Sequence, residues 1–145
     1  ENLAKEEEMS NCVFCNIVAG KIPSAKVHED EWTLAFMDIG EVNPGHVLVA
    51  VKPHVENIYG LDDRQAAAVL QTAARVARAV KTVYSPGGLN LYQANGPAAG
   101  QTVYHFHLHI VPRHENDGMR LTWPAKNPPR EQLEANAARL RAVLD

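Results

Sequence analysis

His105, Phe106, His107, Leu108 and His109 set three imidazoles at alternate positions. Alternate side chains of a strand share one face, so the spacing predicts three histidines pointing one way, with Phe106, Leu108 and Ile110 pointing into the core. Histidine is neither a strong strand former nor cheap to bury, so folding alone does not explain the row. Two chemistries suit it: imidazoles ligate metal ions, and a neutral imidazole can attack phosphorus. The residues just upstream favour the second. Gly100-Gln101-Thr102 carries a glycine that lets backbone amides close on an anion, and Gln101 and Thr102 can add side-chain donors.

A second cluster is Cys12-x-x-Cys15. Two cysteines this close are too few for a secreted disulfide framework. They read as half a metal site, a redox pair or two reduced core thiols.

The elements that must position these groups follow from pattern. Residues 11–19 can form one short helix, stopped by Gly20. Val27–His28 and Thr33–Asp38 read as strands around an acidic turn, and Asn43-Pro44-Gly45 is a turn signal. His46–Val51 is a nearly continuous apolar strand ended by Pro53. Asp62-Asp63 opens the clearest helix: Val69, Leu70, Ala73, Val76, Ala77, Val80 and Tyr84 fall at helical spacing, and Ser85-Pro86-Gly87-Gly88 stops it. Leu89–Gln93 and Val103–Val111 are the last strands, and Arg130–Leu144 reads as a terminal helix. Strand runs around one long helix predict an α+β fold, with an antiparallel sheet of about five strands.

The chain has 145 residues, enough for one domain with its own core. Residues 1–10 read as a disordered extension with Met9 as a candidate start, residues 11–115 as the domain, and 116–145 as a tail. The net charge of −3 leaves no global basic field for a nucleic acid. No apolar run approaches the ~18 residues of a membrane helix. Glu1–Ser10 is polar and acidic, unlike a signal peptide, so a reducing cytoplasm is the expected compartment and no membrane partner is expected.

The stretch Gly100-Gln101-Thr102-Val103-Tyr104-His105-Phe106-His107-Leu108-His109-Ile110-Val111 resembles the signature of the histidine-triad family of nucleotide hydrolases and transferases, in its bacterial, Hint-like form. Phe14, Ile22-Pro23, Ala35–Ile39 and Gly45–Val49 extend the resemblance over roughly residues 11–114. It implies that His107 is the nucleophile, with its far ring nitrogen on a carbonyl of its own strand. It implies that His109 donates to phosphoryl oxygens, that Gly100, Gln101, Thr102 and Val103 cradle the phosphate, and that His105 and His46 complete the triad network. Asp38 would grip the ribose hydroxyls, and Phe14, Ile22, Phe36, Ile39 and Leu48 would form a slot for the base. Where the phosphoramidase branch has a loop asparagine this chain has Ala94, so Asn95 either takes that role or simply makes the turn.

The related galactose-phosphate uridylyltransferases hold zinc with a similar Cys-x-x-Cys and two histidines. That likeness implies a structural Zn²⁺ on Cys12, Cys15, His54 and His105, with no cofactor required for the chemistry. The implied activity is removal of a substituent from the α-phosphate of a purine nucleoside monophosphate, an AMP or GMP derivative, by a homodimeric purine nucleoside phosphoramidase. Hydrolysis of dinucleoside polyphosphates and a non-enzymatic nucleotide- or zinc-binding module are the alternatives.

Overall fold

The computed structural model describes residues 1–145. Its strands are β1 (Lys26–Glu29), β2 (Thr33–Met37), β3 (Val47–Val51), β4 (Gly88–Tyr92) and β5 (His107–Arg113), in the sheet order β1-β2-β3-β5-β4. Every neighbouring pair is antiparallel. The α+β architecture read from the sequence is the one observed. β3 is buried along its whole length, as a strand covered on both faces must be.

Alternation divides the core. Ala35, Val47, Val49, Val51, Phe106 and Ile110 pack under the long helix α3 (Asp63–Tyr84), against Val69, Ala73, Val76 and Val80. Leu34, Phe36, Leu48 and Ala50 face the other way and pack on Phe14 and Ile17 of the short helix α2 (Val13–Val18). Leu108 joins the α3 side, so period two sends His107 and His109 to the α2 side. The register agrees: His107 lies opposite Ala50, and His109 opposite Leu48.

α3 begins with a reciprocal cap. The Asp62 carboxylate accepts from the Gln65 amide at 2.8 Å, and the Gln65 side chain accepts from the Asp62 amide at 3.0 Å, satisfying two orphan donors. It ends at Ser85 in the left-handed region. The β1–β2 turn is tied to α3 through Asp30, which accepts from the amides of Trp32 (2.9 Å) and Thr33 (2.8 Å) and from the Thr72 hydroxyl (3.2 Å). Burial would raise the Asp30 pKa, but the Trp32 and Thr33 amides, with the His28 ring and the Thr33 hydroxyl, outweigh it and hold the carboxyl well below the usual range.

Three sequence expectations change. The last strand starts at His107 rather than Val103, because His105 turns its ring to the Val51 carbonyl and residues 103–106 leave the regular ladder. The strand also runs through Pro112 to Arg113. Pro112 lies beyond the end of β3 and pairs with β4 alone, so its missing N–H breaks no bond to β3. Residues 1–10, read as disordered, lie in a helix, α1 (Asn2–Asn11), with no buried residue. Ala4, Lys5, Glu6, Glu7, Glu8 and Met9 are all strong helix formers, and that local preference accounts for it. The terminal helix α4 (Arg130–Arg141) is likewise unburied. No helix is long and apolar enough to cross a membrane.

The Asn43-Pro44-Gly45 turn is anchored. Asn43 Nδ2 donates to the Pro112 carbonyl at 2.8 Å and to Asp117 at 3.0 Å, and Asp117 also pairs with Arg113 at 2.7 Å. Gly45 has φ +95°, and a Cβ there would sit 2.6 Å from the Tyr84 ring. We therefore expect Gly45→Ala to lower the unfolding free energy by about 1–3 kcal/mol in denaturant melts. Removing the ring in Gly45→Ala/Tyr84→Ala should recover the steric part, a non-additivity that a double-mutant cycle would measure.

Candidate functional site

Three backbone-anchored arrangements meet on the α2 face of the sheet. The first centres on His107. Its Nδ1 donates to the carbonyl oxygen of His105 at 2.6 Å, which fixes the proton on Nδ1 and leaves Nε2 with a free lone pair. The Phe14 ring stands edge-on to the imidazole, with centroids 4.8 Å apart. Burial lowers the His107 pKa, opposed by the bond to the His105 carbonyl and by the charge of Asp38. The ring is thus neutral at pH 7.

The second joins His46, His109 and Asp38. His46 Nε2 and His109 Nδ1 are 2.9 Å apart, and Asp38 Oδ2 lies 3.3 Å and 3.7 Å from them. The Val42 amide donates to His46 Nδ1 at 3.1 Å. Asp38 Oδ1 accepts from the Gly40 amide at 2.8 Å, which steadies the carboxylate. Tyr92, opposite His109 across the β4–β5 ladder, packs on its ring at 5.6 Å. Burial, then the neighbouring rings of His107 and His46, pulls the His109 pKa down to about 4, and burial also lowers His46.

The third gathers Cys12, Cys15, His54 and His105, whose ligand atoms all lie within 4.8 Å of one another. Sγ of Cys12 and of Cys15 are 3.4 Å and 3.5 Å from His105 Nδ1, and Cys15 Sγ is 3.2 Å from His54 Nδ1. A zinc tetrahedron with ordinary bond lengths has S···N edges of about 3.5 Å. His105 Nε2–H donates to the Val51 carbonyl, which turns the Nδ1 lone pair to the sulfurs, as an orienting partner of a metal-bound histidine does. Burial and the adjacent Cys12 push the Cys15 thiol up to about 12. Protein atoms alone therefore oppose a thiolate there, and a cation would reverse that balance. Donor types, spacing and orienting bond all fit zinc.

The phosphate loop departs from its expected form. Gln101 is buried and its side chain is occupied: Oε1 accepts from the Gly96 amide at 2.7 Å, and Nε2 donates to the carbonyls of Glu56 (2.7 Å) and Val103 (3.2 Å). Its own amide bonds the Gly96 carbonyl, and the Gly100 amide bonds Pro97. Gly100 and Gln101 thus shape the loop and offer no free donor. The amides of Thr102, Val103 and Tyr104 have no partner within the chain. Asn95 is held too, accepting from the Ile58 amide and from Gln93, each at 2.8 Å, as a loop-former does. Of the apolar slot, Phe14, Phe36 and Leu48 are core residues, whereas Ile22 is more than a third exposed and Ile39 is fully exposed beside Asp38. His105 does not join the His46–His109 pair; it lends its carbonyl to His107 and its ring to the cysteines.

The Val42 amide, the Val51 carbonyl and Tyr92 were missed in the sequence. The first two are backbone groups with no residue-type signal, and Tyr92 is identified by strand register.

The HIT domain model matches residues 19–116. The "Protein hit" of Bacillus subtilis is 48% identical over 114 residues, which cover 78% of this chain and 79% of that protein. An adenosine 5'-monophosphoramidase of Schizosaccharomyces pombe is 36% identical over 126 residues, covering 86% and 92%. The crystal structure of a HIT family protein from Bacillus anthracis superposes with a TM-score of 0.90 at 40% identity, covering 93% of this chain and 98% of that one. A zinc-bound histidine triad family protein from Mycobacterium smegmatis gives 0.73 at 34% identity, covering 92% and 98%.

With His105 and His109 both held near pKa 4, the unfolded chain binds protons that the folded chain refuses between pH 6.5 and about 4. Stability should then fall as pH falls through that window. The unfolding midpoint in urea, measured at pH 7, 6, 5 and 4, should decrease stepwise, and NMR should show the His109 ring neutral at pH 6.

Proposed function

The chain belongs to the HIT, or histidine-triad, family, and on that premise we propose that it is a nucleotidyl hydrolase that releases a substituent from the α-phosphate of a purine nucleoside monophosphate. The single observation that carries the reading is the state of His107: a neutral ring, its proton fixed on Nδ1, its Nε2 free, on the strand that follows three unpaired amides. His107 Nε2 attacks phosphorus, an N–P bond forms, and the bond to the leaving group breaks with its electron pair going to that group. Water then attacks the nucleotidyl-histidine, releases the nucleotide and restores the ring. Splitting one displacement into two lowers each barrier.

Free N–H groups at Thr102 and Val103 supply donors for the charge that gathers on the phosphoryl oxygens. Asp38 is proposed as the ribose contact, since a carboxylate accepts from both hydroxyls of a cis-diol. The exposed side chains of Ile22 and Ile39 and the edge-on ring pair Phe14–Phe36 are of types that suit a planar base. The monophosphoramidase name of the fission yeast relative favours an amide leaving group.

Cys12, Cys15, His54 and His105 are proposed to hold a structural zinc. Bound there, the ion would supply a closed cross-link between the start of α2, His54 and His105, two residues before β5, and no chemistry at phosphorus. The zinc-bound mycobacterial relative supports this. A homodimer is proposed as well, because the outer strand β4 exposes Leu91 and Tyr92, and α3 exposes Leu70 and Val83.

His107→Asn should lower kcat/KM for adenosine 5'-phosphoramidate by at least about 10³-fold while AMP affinity changes little, measured by steady-state kinetics and calorimetry. Rapid acid-free quenching of the wild type should trap a nucleotidyl adduct on residue 107; turnover by the Asn variant would end the proposal. Elemental analysis should find one zinc per chain, and Cys15→Ser should lose it and melt at lower temperature.

A further inference from the structure

Cys12 and Cys15 are placed to react with each other as well as to hold a metal. Cys12 caps the start of α2, and the Cys15 amide donates to its Sγ at 3.4 Å. The two sulfurs lie within 4.8 Å of each other, and both residues are half-buried. A cleft of about 640 Å³ opens on Cys12 and His54, with Glu56, Thr102 and Tyr104 on its walls. A small solute therefore reaches Cys12 from outside.

The cluster is also joined to the peptide unit between His105 and Phe106. The carbonyl of that unit accepts from His107 Nδ1 at 2.6 Å, and its N–H donates to the Val55 carbonyl at 2.6 Å. Val55 follows His54 directly. One end of the unit is thus held beside His54 and the other carries the His105 ring, and both histidines face Cys15 Sγ, at 3.2 Å and 3.5 Å. Phe14, which lies between the two cysteines in sequence, stands edge-on to His105 at 5.9 Å and to His107 at 4.8 Å.

We propose that Cys12 and Cys15 are a redox modification site, at which a hydroperoxide forms a disulfide, dismantles the metal set and frees the tautomer of His107. It rests on the zinc and hydrolase readings above. Metal-bound sulfurs are thiolates, the form that attacks. The Cys12 thiolate attacks one peroxide oxygen: an S–O bond forms, the O–O bond breaks, and the departing oxygen takes the electron pair and a proton from water. The Cys15 thiolate then attacks the Cys12 sulfur: the S–S bond forms, the S–O bond breaks, and hydroxide leaves to be protonated by solvent. The two sulfurs give up two electrons together, and the peroxide accepts them. Only His54 and His105 remain as donors, too few for a closed tetrahedral site. With the ion gone, nothing ties His54 to His105, and the sulfurs turn to each other and away from the His105 ring. The peptide unit then tilts, its carbonyl no longer fixes the His107 proton on Nδ1, and a ring protonated on Nε2 has no lone pair to attack with.

The full-length, zinc-loaded protein is titrated with hydrogen peroxide at pH 7. One equivalent should release one zinc to a chromophoric chelator and leave a single Cys12–Cys15 disulfide, read by mass spectrometry after alkylation. Long-range ¹H–¹⁵N correlation should show His107 as Nδ1–H before oxidation and as a mixture of tautomers after it. Over the same titration kcat/KM for adenosine 5'-phosphoramidate should fall at least about tenfold, and dithiothreitol with zinc should restore all three signals. Cys12→His keeps a metal-ligating side chain but forms no disulfide, so it should retain its zinc and its own starting tautomer signal under the same treatment. If that variant does not fold or load zinc, the wild-type stoichiometry decides. Both thiols and the zinc surviving excess peroxide, or sulfinic acid appearing without a disulfide, overturns the site. A disulfide formed and zinc lost with the His107 tautomer unchanged overturns the coupling. Absence of turnover in the reduced protein removes the hydrolase reading, while the zinc, disulfide and tautomer signals still decide the switch. A reduced protein that holds no zinc removes the metal reading and the switch with it.

Discussion

A histidine attacks through the nitrogen that carries its lone pair, and the hydrogen bond from His107 Nδ1 to the His105 carbonyl decides which nitrogen that is. The bond needs the residue two positions earlier to leave regular strand geometry, so that its carbonyl turns back toward the ring. His105 does leave it. Its imidazole is drawn to the Val51 carbonyl on one side and to the two cysteines on the other. The tautomer of residue 107 therefore depends on residue 105 being held, and residue 105 is held by β3 and α2 together. A cluster that looks peripheral to the chemistry sets the direction of the attacking lone pair.

The sheet imposes the rest. β3 is apolar on both faces and central, so it can do no chemistry itself; it offers carbonyls and a flat backing. One face is closed by α3, which leaves the face under the short helix α2 for polar groups. α2 is only six residues long, so it covers Leu34, Phe36 and Ala50 without reaching over the whole strand. The imidazoles of His107 and His109 stand at the edge of that cover. They are buried enough to stay neutral and open enough to meet a ligand. For His107 the two influences oppose each other, burial against the His105 carbonyl and the Asp38 charge, and burial wins. A protonated His107 would have no lone pair at Nε2, so the partial burial is part of the chemistry.

Much of this was legible from residue types at fixed spacing. Alternation in residues 105–109 put His107 and His109 on one face. The capped, strongly amphipathic run from Asp62 to Tyr84 was readable within a residue. Cys12-x-x-Cys15 with His54 and His105 came together as the family likeness implied. What was not legible is of one kind: groups whose role is set by the backbone or by a competing partner. Gln101 has the right chemistry for a phosphate donor, yet folding occupies every donor it has. Asn95 is likewise taken up by the Ile58 turn. Val42 has an unremarkable side chain, and its contribution is an N–H that every residue but proline possesses. The start of β5 was misplaced because Val103–Phe106 has strand-forming composition, while the tertiary pull on His105 breaks the ladder. α1 was misread in the opposite sense: low hydrophobicity argued for disorder, but six good helix formers in sequence are a local preference that needs no burial.

The division between loop-shaping and ligand-facing residues also explains why a glycine-rich loop alone is weak evidence for phosphate binding. Residues 96–101 close on themselves through Gly96–Gln101 and Pro97–Gly100 bonds, so the amides of Gly96, Ala99, Gly100 and Gln101 are satisfied before any ligand arrives. That closure fixes the stretch before Thr102, and the amides of Thr102, Val103 and Tyr104 just beyond it are without a partner in the chain. An anion bound there would meet N–H groups already ordered by the loop behind them, with little entropy left to lose. The same logic operates at His46. In each case a residue that never touches phosphorus is held by the backbone, so that the next one along presents a single chemical face.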